Sequence, residues 1–183
     1  MSQAFPGLPS PAAGFDQPFE MLQACHDRVR RTLSLLQRLT DHVAVHGGDR
    51  AARDAAQDVL RYFDLAAPAH HDDEERHVLP RLRASGRAAD AALADRLQHD
   101  HRRMERSWQG LRARLQALRD EGAVDAMALA REAEAFIALY EAHLALEDDD
   151  AFPQAEARAR DEGATALQAM GEEMAQRRGA RRG

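Results

Sequence analysis

The sequence predicts an all-α fold: an antiparallel up-down-up-down four-helix bundle followed by a short C-terminal helix. Three observations predict it. Apolar residues recur at alternating steps of three and four through four long segments. The stretches between those segments are short and contain glycine, and short connections force neighbouring helices to run antiparallel. Composition agrees: 44% of the 183 residues are hydrophobic, only 5% are aromatic and 31% are charged, with alanine and arginine throughout and few β-branched residues. The length suits one domain with short appendages, and no segment reads as strand.

Residues 1–17 carry Pro6, Pro9 and Pro11 among small residues and read as a flexible lead-in. Pro18, after Asp16 or Gln17, is placed as a first helical residue. The first stripe then runs Leu22, His26, Val29, Leu33, Leu36, Thr40 and Val43, and Gly47 and Gly48 end the helix. The second helix covers 49–84 with the stripe Ala52, Ala56, Val59, Phe63, Ala66, His70 and Glu74. Pro68 should bend it or break a hydrogen bond, and Ser85 and Gly86 close it. The third starts near Ala88 and carries Leu93, Leu97, His101, Met104, Trp108, Leu111, Leu115 and Leu118, ending at Glu121 and Gly122. The fourth starts near Val124 with Leu129, Ala133, Phe136, Tyr140, His143 and Glu147, and Pro153 is expected to stop it. The bundle therefore occupies 18–154. Residues 155–183 add a shorter helix, over 156–174, and a glycine-broken basic tail from Arg177 to Arg182 that reads as a frayed terminus. Met21, Met104 and Met127 read as core filler.

Charge excludes some functions. The net charge is −6, and all 25 lysine-plus-arginine positions are arginine, the coding bias expected of a GC-rich bacterial genome. The arginines are interleaved with acids, so no basic stripe for nucleic acid stands out. The single cysteine, Cys25, permits no internal disulfide framework. Residues 1–14 lack both a basic start and a long apolar run, which argues against a signal peptide or membrane anchor. These features predict a soluble protein of the reducing cytoplasm, with no nucleic-acid or membrane partner. They specify no protein partner.

Each stripe holds one histidine: His26, His70, His101 and His143. A lone histidine on an apolar stripe is ordinarily a hydrogen-bonded core residue. Four of them, one per helix, need a common partner, because each buried imidazole costs free energy unless it is satisfied. Two are followed four residues later by a carboxylate, His70 by Glu74 and His143 by Glu147. Positions i and i+4 lie one above the other on a helix, so each pair can deliver a nitrogen and an oxygen to one point. The segments HHDDEERHVLP and HLALEDDDAFP repeat this form, with proline ten residues after the histidine in both. One such pair could be a helix-stabilising contact alone; two in register with the apolar stripes point to equivalent ligands for a two-metal centre.

The pattern resembles the hemerythrin-like, or HHE cation-binding, family over roughly Phe19 to Pro153. Those bundles carry a histidine on each helix and His–x3–Glu on the second and fourth. The resemblance implies His26, His70, Glu74, His101, His143 and Glu147 as metal ligands. The residue before each proline in the motif appears here as Leu79 and Phe152. The doublets leave His71 and Glu75 as an alternative register, which the repeated distance to proline disfavours. His99 competes with His101 but lies off the Leu97–Met104–Trp108 stripe. His77 reads as a residue supporting the ligands or as an exposed one. Cys25 neighbours His26, but adjacent helical residues point about 100° apart, so nothing beyond packing or incidental oxidation is expected of it.

Imidazole with carboxylate suits iron, manganese or zinc, and the absence of thiolates disfavours soft metals. The resemblance implies two iron ions in an oxo- or hydroxo-bridged centre, with manganese or zinc less fitting. Counting two histidines per iron, two shared glutamates and the oxo or hydroxo bridge leaves about one open position on each. The oxygen-carrying members of the family use His–x3–His on the third helix; here Glu105 follows His101 by four. This departure resembles the four-histidine relatives tied to nitric oxide, oxidative stress and repair of iron centres. The expected ligand is therefore O2, NO or peroxide, bound or sensed. The enzymatic alternative is detoxification, or repair of iron centres.

Overall fold

The computed structural model describes residues 14–179, and every regular element among them is helical, with no strand. Pro6, Pro9, Pro11, Arg181 and Arg182 lie outside the described residues. Helix α1 spans Pro18–His46, with proline in its first turn and Gly47 closing it at φ 71°. Helix α2, Arg50–Arg61, is capped by the Asp49 carboxylate, which accepts from the Ala52 N–H at 2.9 Å. Helices α3 (Ala67–His77), α4 (Leu79–Arg83), α5 (Ala88–Arg119) and α6 (Ala126–Leu146) follow. Asp125 caps α6 through the Ala128 N–H. Helices α7 (Phe152–Glu162) and α8 (Ala164–Arg177) are the last elements among the described residues.

Two wide π turns, Tyr62–Ala66 and Glu147–Ala151, change the expected course. Each lies immediately before a helix with proline in its first turn, Pro68 in α3 and Pro153 in α7. Proline lacks an N–H and crowds the carbonyl four residues earlier. The chain answers by widening: the Ala67 N–H reaches Tyr62 O, and the Phe152 N–H reaches Glu147 O, five residues back. Helical direction is kept, so Pro153 does not stop the fourth helix as expected. The extra residue also shifts the second stripe, burying Ala67 in place of the predicted Ala66. The predicted helix over 156–174 is two, separated at Gly163, whose φ of 98° favours glycine. Met127 is exposed and so is not core filler, whereas Met21 and Met104 are buried.

Helix α1 packs against α2 and α6, and α5 packs against the same two. Their buried side chains form two apolar clusters. One contains Val29, Leu33, Leu36, Val59, Phe63, Ala67, Met104, Leu111, Phe136 and Tyr140. The other contains Phe19, Leu22, Leu79, Leu82, Leu97, Phe152, Ala155, Met170 and Met174. Along the chain the order alternates. In α1 and α5 the second cluster comes before the first; from α2 to α4 and from α6 to α7 it comes after. The predicted histidines and glutamates fall between the two clusters on every stripe, forming one buried polar layer.

The C-terminal helices close the far end. Asp73 on α3 is fully buried and is bound by Arg177, at 2.5 Å, and by Arg178. Gly171 on α8 lies against the Phe15 carbonyl so closely that any side chain there would collide with backbone.

Candidate metal centre

The polar layer brings all six predicted residues together. Their ligand atoms form two quartets, each with all atoms within 4.8 Å of one another: His26, His70, Glu74 and Glu147, and Glu74, His101, His143 and Glu147. Glu74 and Glu147 belong to both, and both are 0% exposed. His26 Nε2 lies 3.2 Å from Glu147 and 3.5 Å from Glu74. His70 Nε2 lies 2.9 Å from Glu74, and His143 Nε2 lies 3.1 Å from Glu147, so each i, i+4 pair meets as its spacing requires. His101 Nε2 sits 3.4 Å from Glu74 and 3.2 Å from His143 Nε2.

These short approaches are not a satisfied hydrogen-bond network. Both oxygens of Glu74 and of Glu147, Nε2 of His26 and both ring nitrogens of His70 are buried without a hydrogen-bond partner. A native core keeps such atoms paired, because leaving them unmet costs roughly 1–3 kcal/mol each, and more for charged groups. Converging nitrogen and oxygen lone pairs, shut away from water, are what a cation satisfies. The donor set, imidazole and carboxylate without thiolate, fits iron, and the two quartets could hold a metal ion each.

Electrostatics show the same demand for positive charge. Burial alone would lower the His26 pKa, but Asp148, then Glu147 and Glu74, raise it to about 11. Burial likewise opposes the charge of His70, yet Glu74 and the neighbouring Cys25 raise it to about 10. Burial raises the Glu74 carboxyl, and the His70 charge with the close imidazoles of His101 and His26 reverses this, holding it well below the usual range. Burial and the Glu74 charge both raise Glu147, and His143 and His26 outweigh them. Without metal, protons are thus held where a cation would sit.

The Nδ1 atoms of His26 and His101, which face away from the quartets, are held by a supporting layer. His26 Nδ1 meets Asp148 at 2.7 Å, and Asp148 is itself held by Gln23 at 2.9 Å and by Arg30. His101 Nδ1 meets Glu75 at 3.0 Å. Asp100 lies 4.0 Å from His143 Nδ1, and Cys25 lies beside His70. A repeated device is evident: each shared glutamate is followed by a second acid, which orients a histidine on another helix. Glu75 follows Glu74 and holds His101 of α5; Asp148 follows Glu147 and holds His26 of α1.

The alternatives are now placed. His70 and Glu74 enter the quartets, while Glu75 supports His101 and His71 stacks on the His101 ring at 4.2 Å. The second residue of each doublet thus lies beside the quartets and not in them. His99 is exposed and His101 is buried. His77 is buried but faces α8, with Nε2 accepting from Arg177 at 2.9 Å, outside the quartets. Cys25 is buried beside His70 of α3. Asp148 was missed, although it sits one residue past the His–x3–Glu motif.

An all-helical protein with two overlapping, fully buried histidine–glutamate quartets is of the cation-binding helical class. Residues 17–155 match the hemerythrin HHE cation-binding domain, and the chain belongs to that family. It is also 34% identical over 140 residues to an uncharacterized protein of Haemophilus influenzae, covering 76% of this chain and 80% of that one. No helix among the described residues is long and apolar enough to cross a membrane.

Two outcomes follow from the supporting layer and from the raised imidazoles. Asp148→Ala frees the His26 ring and should weaken iron binding about 10- to 100-fold while the helical circular dichroism is kept, as read by competition with a chelator. Coordination needs neutral imidazole, so metal uptake displaces the protons that His26 and His70 hold up to about 11 and about 10. Calorimetry in two buffers of different ionisation enthalpy should record proton release, and affinity should rise as pH increases through neutrality.

Proposed function

We propose that this protein holds a pair of iron ions between its helices and uses them to bind or sense O2, NO or peroxide. The observation that carries the reading is the pair of quartets sharing Glu74 and Glu147. One ion would take His26 and His70, the other His101 and His143, with the shared glutamates serving both. Each quartet offers four protein donors, fewer than the roughly six an octahedral ion takes, which leaves room for a small ligand. Bound iron would supply that position and reversible electron exchange. The chain's own residues orient the imidazoles through Asp148 and Glu75, exclude water, and balance the buried carboxylates.

The helical arrangement proposed is the up-down-up-down bundle. Its support is the alternation of the two apolar clusters along successive stripes. A cytoplasmic location is proposed with it, in keeping with a single, buried free thiol.

Metal analysis of protein purified from iron-fed cells should find close to two irons per chain. Glu147→Ala should lose most of it, because one shared carboxylate disappears. A normally folded protein that refuses iron at neutral pH would remove the proposal.

A further inference from the structure

Asp73 and His77 lie on α3 beside its two candidate ligands. On the helix surface His70 neighbours Asp73 and Glu74, and His77 neighbours the same two, at steps of three and four. His70 and Glu74 turn into the quartets, whereas Asp73 and His77 turn to α8. Arg177, on the last turn of α8, binds both. Its Nε donates to Asp73 Oδ1 at 2.8 Å, and its Nη2 lies 2.5 Å from the same oxygen and 2.9 Å from His77 Nε2. Arg178 meets the other oxygen of Asp73. Glu173, one turn earlier on α8, lies 3.6 Å from Arg177 and 3.5 Å from His77.

Asp73 has no exposure to water, and a carboxylate so buried is tolerated only while its partner is in place. If Arg177 withdraws, the charge must be turned toward water. Asp73 and Glu74 are adjacent on one helix, so moving the first moves the second. The partner comes from outside the matched domain: that match ends at residue 155, and α8 joins α7 through Gly163. Apart from its arginines, α8 buries only Met170, Gly171 and Met174.

We propose that Arg177 is a positioning residue for the iron layer: it fixes the α3 turn that carries His70 and Glu74, so docking of α8 and loading of iron strengthen each other. The inference rests on the di-iron reading and adds a device outside the quartets that sets iron affinity. Coupling of this kind is reciprocal. The factor by which docked α8 tightens iron is the factor by which iron tightens the docking of α8.

The test uses the full chain, and iron content is measured first. A chain without iron fails the proposed function itself, whereas an iron-loaded chain that fails the steps below fails only this inference. Competition with a chelator should show iron bound about tenfold more weakly in Arg177→Ala. Arg114→Ala breaks an ion pair with Glu132 between α5 and α6, outside the polar layer, and should leave iron affinity unchanged. Unchanged affinity in Arg177→Ala, or equal weakening by both variants, overturns the proposal. Asp73→Asn keeps the shape of that side chain and removes its charge. Arg177→Ala should weaken iron no further in the Asp73→Asn background; additive losses overturn the route through Asp73. Amide hydrogen exchange, read by mass spectrometry, supplies the reciprocal half. Iron should slow exchange in residues 164–177 about tenfold in the unaltered chain and not in Arg177→Ala. Slowing of equal size in both proteins overturns the coupling. Exchange in the unaltered chain that iron leaves unchanged overturns it without recourse to any variant.

Discussion

Two carboxylates with no exposure to water, Glu74 and Glu147, set the terms for this structure. Each raises the cost of ionising the other if left alone, and burial adds to that cost. Positive charge must therefore be delivered between them. The imidazoles of His26, His70 and His101, whose pKa values are raised, do part of this by holding protons, and a pair of cations would do all of it. The two apolar clusters follow from the same need, since they seal the polar layer from either side. Water cannot then satisfy the carboxylates, which raises the gain from a cation that can.

Precision comes from outside the quartets. An imidazole that ligates through one nitrogen is steered by what its other nitrogen meets. Here the shared glutamate and the acid after it divide the work between two faces of one turn: the first reaches inward, and the second turns a histidine on a different helix. The device appears twice, in Glu74–Glu75 and Glu147–Asp148. It ties α3 to α5 and the turn after α6 to α1, so the metal-binding geometry and the helix packing stabilise each other.

The stripes and the six converging residues could be read in the sequence because both obey short-range rules. Every residue named on the first stripe, from Leu22 to Val43, is buried, and His–x3–Glu spacing suffices to place both donors of each pair. What escaped depends on less local facts. Pro153 signalled a helix end, but a π turn ahead of it, as ahead of Pro68, absorbed the missing hydrogen bond, and at the first of these turns Ala67 is buried where Ala66 was expected. The neighbour of Cys25 lies on another helix, and Arg177 reaches Asp73 and His77 from far along the chain. Such contacts are fixed only once the helices have packed.

The central claim is that six side chains enclose two cations that share two glutamates. Anomalous diffraction at the iron edge, from crystals of iron-loaded protein, tests it most directly. The account predicts two peaks, one among His26, His70, Glu74 and Glu147 and one among Glu74, His101, His143 and Glu147. A single peak, or iron bound away from this layer, would contradict it.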